Sequence, residues 1–72
     1  MGLVNATPLT LRIHSTAGTV DHYLPAVTDR AEALSACDAY CAAAGIFARP
    51  LTCTETETGF VCEYVVEMAV AS

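Results

Sequence analysis

One stretch of the chain carries both a start and a stop signal for a helix: TDRAEALSACDAYCAAAG, residues 28 to 45. Thr28 or Asp29 can cap it, and Asp29 and Glu32 suit its positive first turn and share the capping-box spacing. Gly45 falls where a left-handed residue ends a helix, so the helix is expected to run to Ala44. On either side the pattern alternates instead, with a period of two. A single helix between two pairs of strands gives the order ββαββ. The expected fold is α+β, a single small domain over residues 1–72. An antiparallel sheet of about four strands has the helix packed on one face.

The strands read as follows. From Pro8 to Thr16, Leu9, Leu11 and Ile13 share one parity and Thr10, Arg12 and His14 the other, as in a half-buried strand. Ala17-Gly18-Thr19 supplies a reversal. A second strand, Val20 to Leu24, is expected to stop at Pro25, which cannot donate to a ladder. A third runs from Phe47 to Thr56, broken near Arg49-Pro50, and a fourth from Phe60 to Val70. On the fourth, Phe60, Cys62, Tyr64, Val66, Met68 and Val70 face one way. A hairpin turning at Glu57-Thr58 sets Cys53 across from Cys62.

A chain of 72 residues has a thin core, and much of its 54% hydrophobic content is alanine. Larger side chains, a staple or a partner must supply the rest. At 100° per residue the helix stripe Leu34, Cys37, Cys41, Ala44, flanked by Ala33 and Tyr40, packs on the sheet. The four cysteines, Cys37, Cys41, Cys53 and Cys62, then converge on one place. They fit either reduced thiols packed as small hydrophobes or two disulfides, helix-to-sheet or Cys53–Cys62. The spacings C-x3-C and C-x8-C lack the knuckle of a zinc site, and no C-x-x-C suggests redox catalysis. All four are read as structural, with no metal site.

The net charge of −5, with three arginines and no lysine, argues against nucleic-acid phosphates and anionic membranes as direct partners. No run approaches a membrane span, and MGLVNATPLTLR lacks the basic region of a signal peptide. The expected location is cytoplasmic or within a virion.

No candidate catalytic, cofactor-binding or metal-binding residue emerges. His14 is expected to face solvent and His22 to be a partly buried structural residue. Ser15, Ser35 and Ser72 lie in no nucleophile elbow, and no glycine-rich loop cradles a phosphate. Glu55, Glu57, Glu63 and Glu67 gather on the last hairpin without the cleft that acid–base catalysis needs. The chain therefore reads as a non-enzyme without cofactor.

What stands out is apolar surface turned away from the core. The outer side of the helix carries Ala36, Ala39 and Ala43, and the outer parity of the last strand carries Val61, Val65 and Ala69 beside Glu63 and Glu67. Contiguous exposed apolar surface on a small protein marks an interface. The expected function is a protein-protein interaction or structural subunit, a self-assembling or partner-binding component such as a viral coat or decoration protein. Alternatives are an acidic inhibitor that presents carboxylates where a nucleic-acid-processing complex expects phosphate, and an adaptor domain.

Overall fold

The computed structural model describes residues 6–67. The elements follow the expected order: β1 (Thr7–Ser15), β2 (Gly18–Val27), α1 (Arg30–Ala44), β3 (Ala48–Thr56) and β4 (Gly59–Val66). Met68, Ala69 and Val70, expected to extend the last strand, lie outside the described residues.

The helix ends obey their sequence signals. Asp29 is the N-cap, and its Oδ1 accepts from the Glu32 amide at 2.8 Å. The Glu32 carboxylate reaches one residue further back than in a capping box, to the amide and hydroxyl of Thr28. At the other end Gly45 takes φ 72°, and the amides of Gly45 and Ile46 donate to the carbonyls of Ala42 and Cys41. Asp29→Ala removes one of these partners and is expected to cost about 1 kcal/mol. A shift of the urea midpoint checks it.

The sheet is mixed, with strand order β2-β1-β4-β3, which corrects the expectation of a wholly antiparallel sheet. Both hairpins are antiparallel, but the central pair β1–β4 is parallel, with Leu11 beside Cys62. The helix carries the chain back so that β3 runs the same way as β2, and the two hairpin turns then make β4 run the same way as β1. Placing those two side by side makes a parallel pair. They are the strands that bury most: Leu9, Leu11 and Ile13 on β1, and Phe60, Cys62 and Tyr64 on β4. Central strands bury a full apolar face, so the richest strands take the middle.

Two of the three prolines lie on the edge strands, and the third, Pro8, sits at the start of central β1. Pro25 does not stop β2, which continues to Val27 through a bulge opposite Pro8, and β3 shifts register between Pro50 and Thr52. A missing amide is tolerated on an edge strand at a bulge. The turns are alike. Ser15 and Thr56 each accept an amide two residues on and donate to the carbonyl of Gly18 and Gly59 respectively.

The helix crosses the inner face obliquely. Arg30 and Leu34 share a small hollow with Pro50–Cys53 of β3, while Tyr40 meets His22 of β2. Its buried stripe is Ala33, Cys37 and Cys41; Leu34, Tyr40 and Ala36 are half-buried against the core. Ala44, expected in the stripe, is exposed, and Ala36, expected on the outer side, packs inward. The oblique crossing rotates the contact stripe toward Ala36 at one end and lifts Ala44 off the sheet at the other.

Candidate functional site

The register of the sheet sorts the outer face into three rows. The first is Tyr23, Thr10, Val61 and Thr54; the second Asp21, Arg12, Glu63 and Thr52; the third Thr19, His14, Val65 and Arg49. Among the described residues no second layer covers this face. Val61 and Val65 are half-buried between strands, and Tyr23 is 81% exposed.

The charges on this face are paired with one another. Arg12 donates Nε to Asp21 Oδ1 at 2.8 Å and Nη2 to Oδ2 at 3.2 Å, a two-pronged pair that holds the Asp21 carboxyl below its ordinary range. His14 Nε2 lies 2.8 Å from Glu63 Oε1 and Nδ1 lies 3.1 Å from Thr19 Oγ1. A carboxylate only accepts, so Nε2 carries the proton and donates. That bond is the main reason the Glu63 carboxyl sits low, with Thr52 contributing. Arg49 pairs with Glu67 at 3.1 Å across two exposed side chains, an arrangement worth little by itself. The candidate interface residues thus divide. Glu63 and Glu67 have basic partners, Val61 and Val65 lie among the paired charges, and Ala39 and Ala43 are exposed on the helix.

On the inner face Cys37, Cys41, Cys53 and Cys62 are all buried as free thiols, and Cys53 is the cross-strand partner of Cys62. Burial pushes the Cys37 thiol up to about 11 and raises Cys41 and Cys62 as well. Among the described residues no three metal-binding side chains converge where an ion could sit. Nearby, Tyr64 donates its hydroxyl to Asp38 Oδ1 at 2.7 Å, and Tyr40 and His22 Nδ1 are 3.0 Å apart. These polar contacts tie helix to sheet. His22 is structural in geometry, as its parity suggested.

Sequence reasoning missed a groove at one end of the inner face. A 15-residue helix is about 22 Å long, whereas the 10 residues of β2 span about 33 Å. The helix therefore leaves uncovered the end where β1 stops and β2 begins. There Ile13, Val20 and Val66 form a floor, with Ile46, Phe47 and His22 around it, enclosing about 590 Å³. Phe47 is 79% exposed and Val20 55% exposed, which is unusual for large apolar side chains beside a concavity. The available signal was the residue count: an inward-parity valine beyond the reach of the helix, and a phenylalanine just past its cap.

The site and fold together define a class, a one-helix α+β domain with one sheet face and one groove left open. Comparison with protein-family models, curated proteins and solved structures returned no match. Among the described residues no helix is long and apolar enough to cross a membrane.

Proposed function

We propose that this protein is a non-enzymatic interaction protein, a structural subunit of a larger assembly of the coat or decoration kind, acting in the cytoplasm or in a virion. The observation that carries the reading is the set of apolar side chains, Tyr23, Val61 and Val65, on a sheet face that no other described element covers. Domains generally bury both faces of a sheet or leave a polar face to water. Here the outer face sets Tyr23, Val61 and Val65 among polar side chains, with Arg12 ion-paired to Asp21 and His14 hydrogen-bonded to Glu63. Paired charges can be desolvated at lower cost than free ones, so this face suits contact with protein. The same pairing counts against the acidic-inhibitor reading, because Asp21 and Glu63 are occupied by Arg12 and His14 and are poor stand-ins for phosphate.

The test is a pair of charge insertions. Ala39→Arg on the helix and Val65→Glu on the outer sheet face should leave the melting temperature within a few degrees, corresponding to about 0.5 kcal/mol. Each should reduce assembly or partner capture in co-sedimentation. Normal assembly by both variants would overturn the reading.

A further inference from the structure

We propose that a second copy of this chain docks on the uncovered end of the inner face about a twofold axis, each copy seating its Phe47 in the groove of the other. The inference rests on the reading of the protein as an interaction protein and adds a further surface, with a second copy as its partner.

Phe47 and the groove lie on the same patch, because Phe47 is itself one of the side chains around the concavity. A twofold contact requires this self-complementarity: the knob and the hole that receives it must lie side by side on one surface. At 79% exposed, Phe47 makes little contact with its own chain and is free to enter a neighbour. A volume of about 590 Å³ is ample for one aromatic ring, being in the range of pockets that take small organic ligands. The floor of Ile13, Val20 and Val66 is apolar, and the one carboxylate of the lining, Glu67, is exposed and paired with Arg49.

Charge placement favours a second copy in this orientation. At the groove end Glu67 is paired with Arg49, and on the adjoining sheet Asp21 with Arg12 and Glu63 with His14. Asp29 and Glu32 at the helix start, and Glu55 and Glu57 by the β3–β4 turn, lie at the opposite end of the strands. That end is about 30 Å away over nine residues of strand, several times the screening length at physiological salt. Two copies of a chain with net charge −5 can therefore meet groove to groove with four of their five acids that lack a basic partner pointing apart, the fifth, Asp38, lying mid-helix.

Area sets the strength. A standard contact takes about 800 Å² from each partner, against a total surface of 5021 Å² for this chain. The groove and its rim supply the core of such a contact and little rim beyond it, which places the pair among small, reversible interfaces. A dissociation constant of about 1–100 μM is expected.

Sedimentation velocity of the full chain from about 5 to 500 μM tests this, spanning the range set by a small interface. Wild type should show a monomer–dimer equilibrium. Phe47→Ala should weaken it at least about 100-fold, as for a central aromatic anchor, with no fall in melting temperature. Ala39→Arg should leave this dimer intact. In NMR spectra followed on dilution, the shifting amides should centre on Val20, Ile46, Phe47 and Val66. A wild type that is monomeric at about 500 μM, or Phe47→Ala dimerising normally, overturns the proposal. So does a dimer that forms only after removal of residues 68–72, which would make the chain's own end the occupant of the groove. If Phe47→Ala assembles normally while Val65→Glu or Ala39→Arg does not, the groove dimer falls and the broader reading stands. If none of the three affects any assembly, both fall.

Discussion

Gly59→Ala is expected to cost at least about 3 kcal/mol and to lower the melting temperature by more than about 10 °C. Gly59 opens β4 directly after the Glu57-Thr58 turn, is buried, and has φ +131°, a conformation that side chains rarely adopt. A Cβ there would also overlap the Pro8 carbonyl oxygen and lie 3.0 Å from its carbon. Both are backbone atoms, so no rotamer change relieves the overlap. The start of β4 would have to part from β1, in the pair that holds the centre of the sheet. Gly18 provides the control. It has φ +128° after the equivalent turn, but a Cβ there meets nothing within 4 Å. Gly18→Ala should therefore show the backbone strain alone, about 1–2 kcal/mol. Chemical denaturation of both variants measures the difference. Equal losses would mean that β1 and β4 do not approach as closely as Pro8 and Gly59 require.

The element order and the helix ends were legible because they depend on local chemistry. Asp29, Glu32 and Gly45 act within a turn of their own position, and the alternation of Leu9, Leu11 and Ile13 is a property of one strand. The pairing of Cys53 with Cys62 was legible for the same reason, since a two-residue turn at Glu57-Thr58 fixes the register of a hairpin. Strand order depends on which strands meet after the helix returns the chain, and no local signal states that. Pro25 and Pro50 lie within the second and third strands, whereas Pro8 stands at the very start of the first, where a missing amide costs no ladder bond. Pro25 and Pro50 each demand an edge, which places β2 and β3 outside and leaves β1 and β4 as neighbours. Reading Pro25 as a stop instead of an edge marker hid the parallel pair.

The candidate surfaces were legible in part. Parity alone put Val61, Glu63 and Val65 opposite the core, and helical spacing put Ala39 and Ala43 outside. The pairing of Glu63 with His14 could not be seen, because it joins β1 to β4 across 49 residues of sequence. The groove was harder still. It arises from the difference in length between helix and strands together with an oblique crossing, and the crossing angle follows from side-chain packing that no periodicity reports. The inward tilt of Ala36 and the exposure of Ala44 have the same origin.

The core thiols lead to the last expectation, a steep loss of stability at alkaline pH. Desolvation raises Cys37 from 9.0 to about 11 and raises Cys41 and Cys62, so in each case the folded state holds the proton more tightly than the unfolded chain. A group of this kind contributes its full stability below its unfolded value and loses it as pH climbs toward its folded value. The loss should therefore begin near pH 9 and continue to about pH 11, with about 3 kcal/mol from Cys37 alone. Burial and the Asp38 carboxylate also raise Tyr64, which adds to the loss above pH 10. For a domain this small, about 3 kcal/mol is a large share of the total. Stabilities from urea unfolding at pH 7.5 and 10.5 should differ by about 2 kcal/mol on account of Cys37, the rest being lost above pH 10.5, and Cys37→Ala should flatten the dependence although it lowers stability at pH 7.5. The same thiolate deficit makes native Cys37, Cys41 and Cys62 slow toward a disulfide reagent, whereas all four thiols should react after unfolding in urea. A disulfide has no proton to lose. If stability is flat to pH 10.5 and fewer than four thiols react in urea without reductant, then oxidised pairs hold the core, and Cys53–Cys62 is the first pair to map.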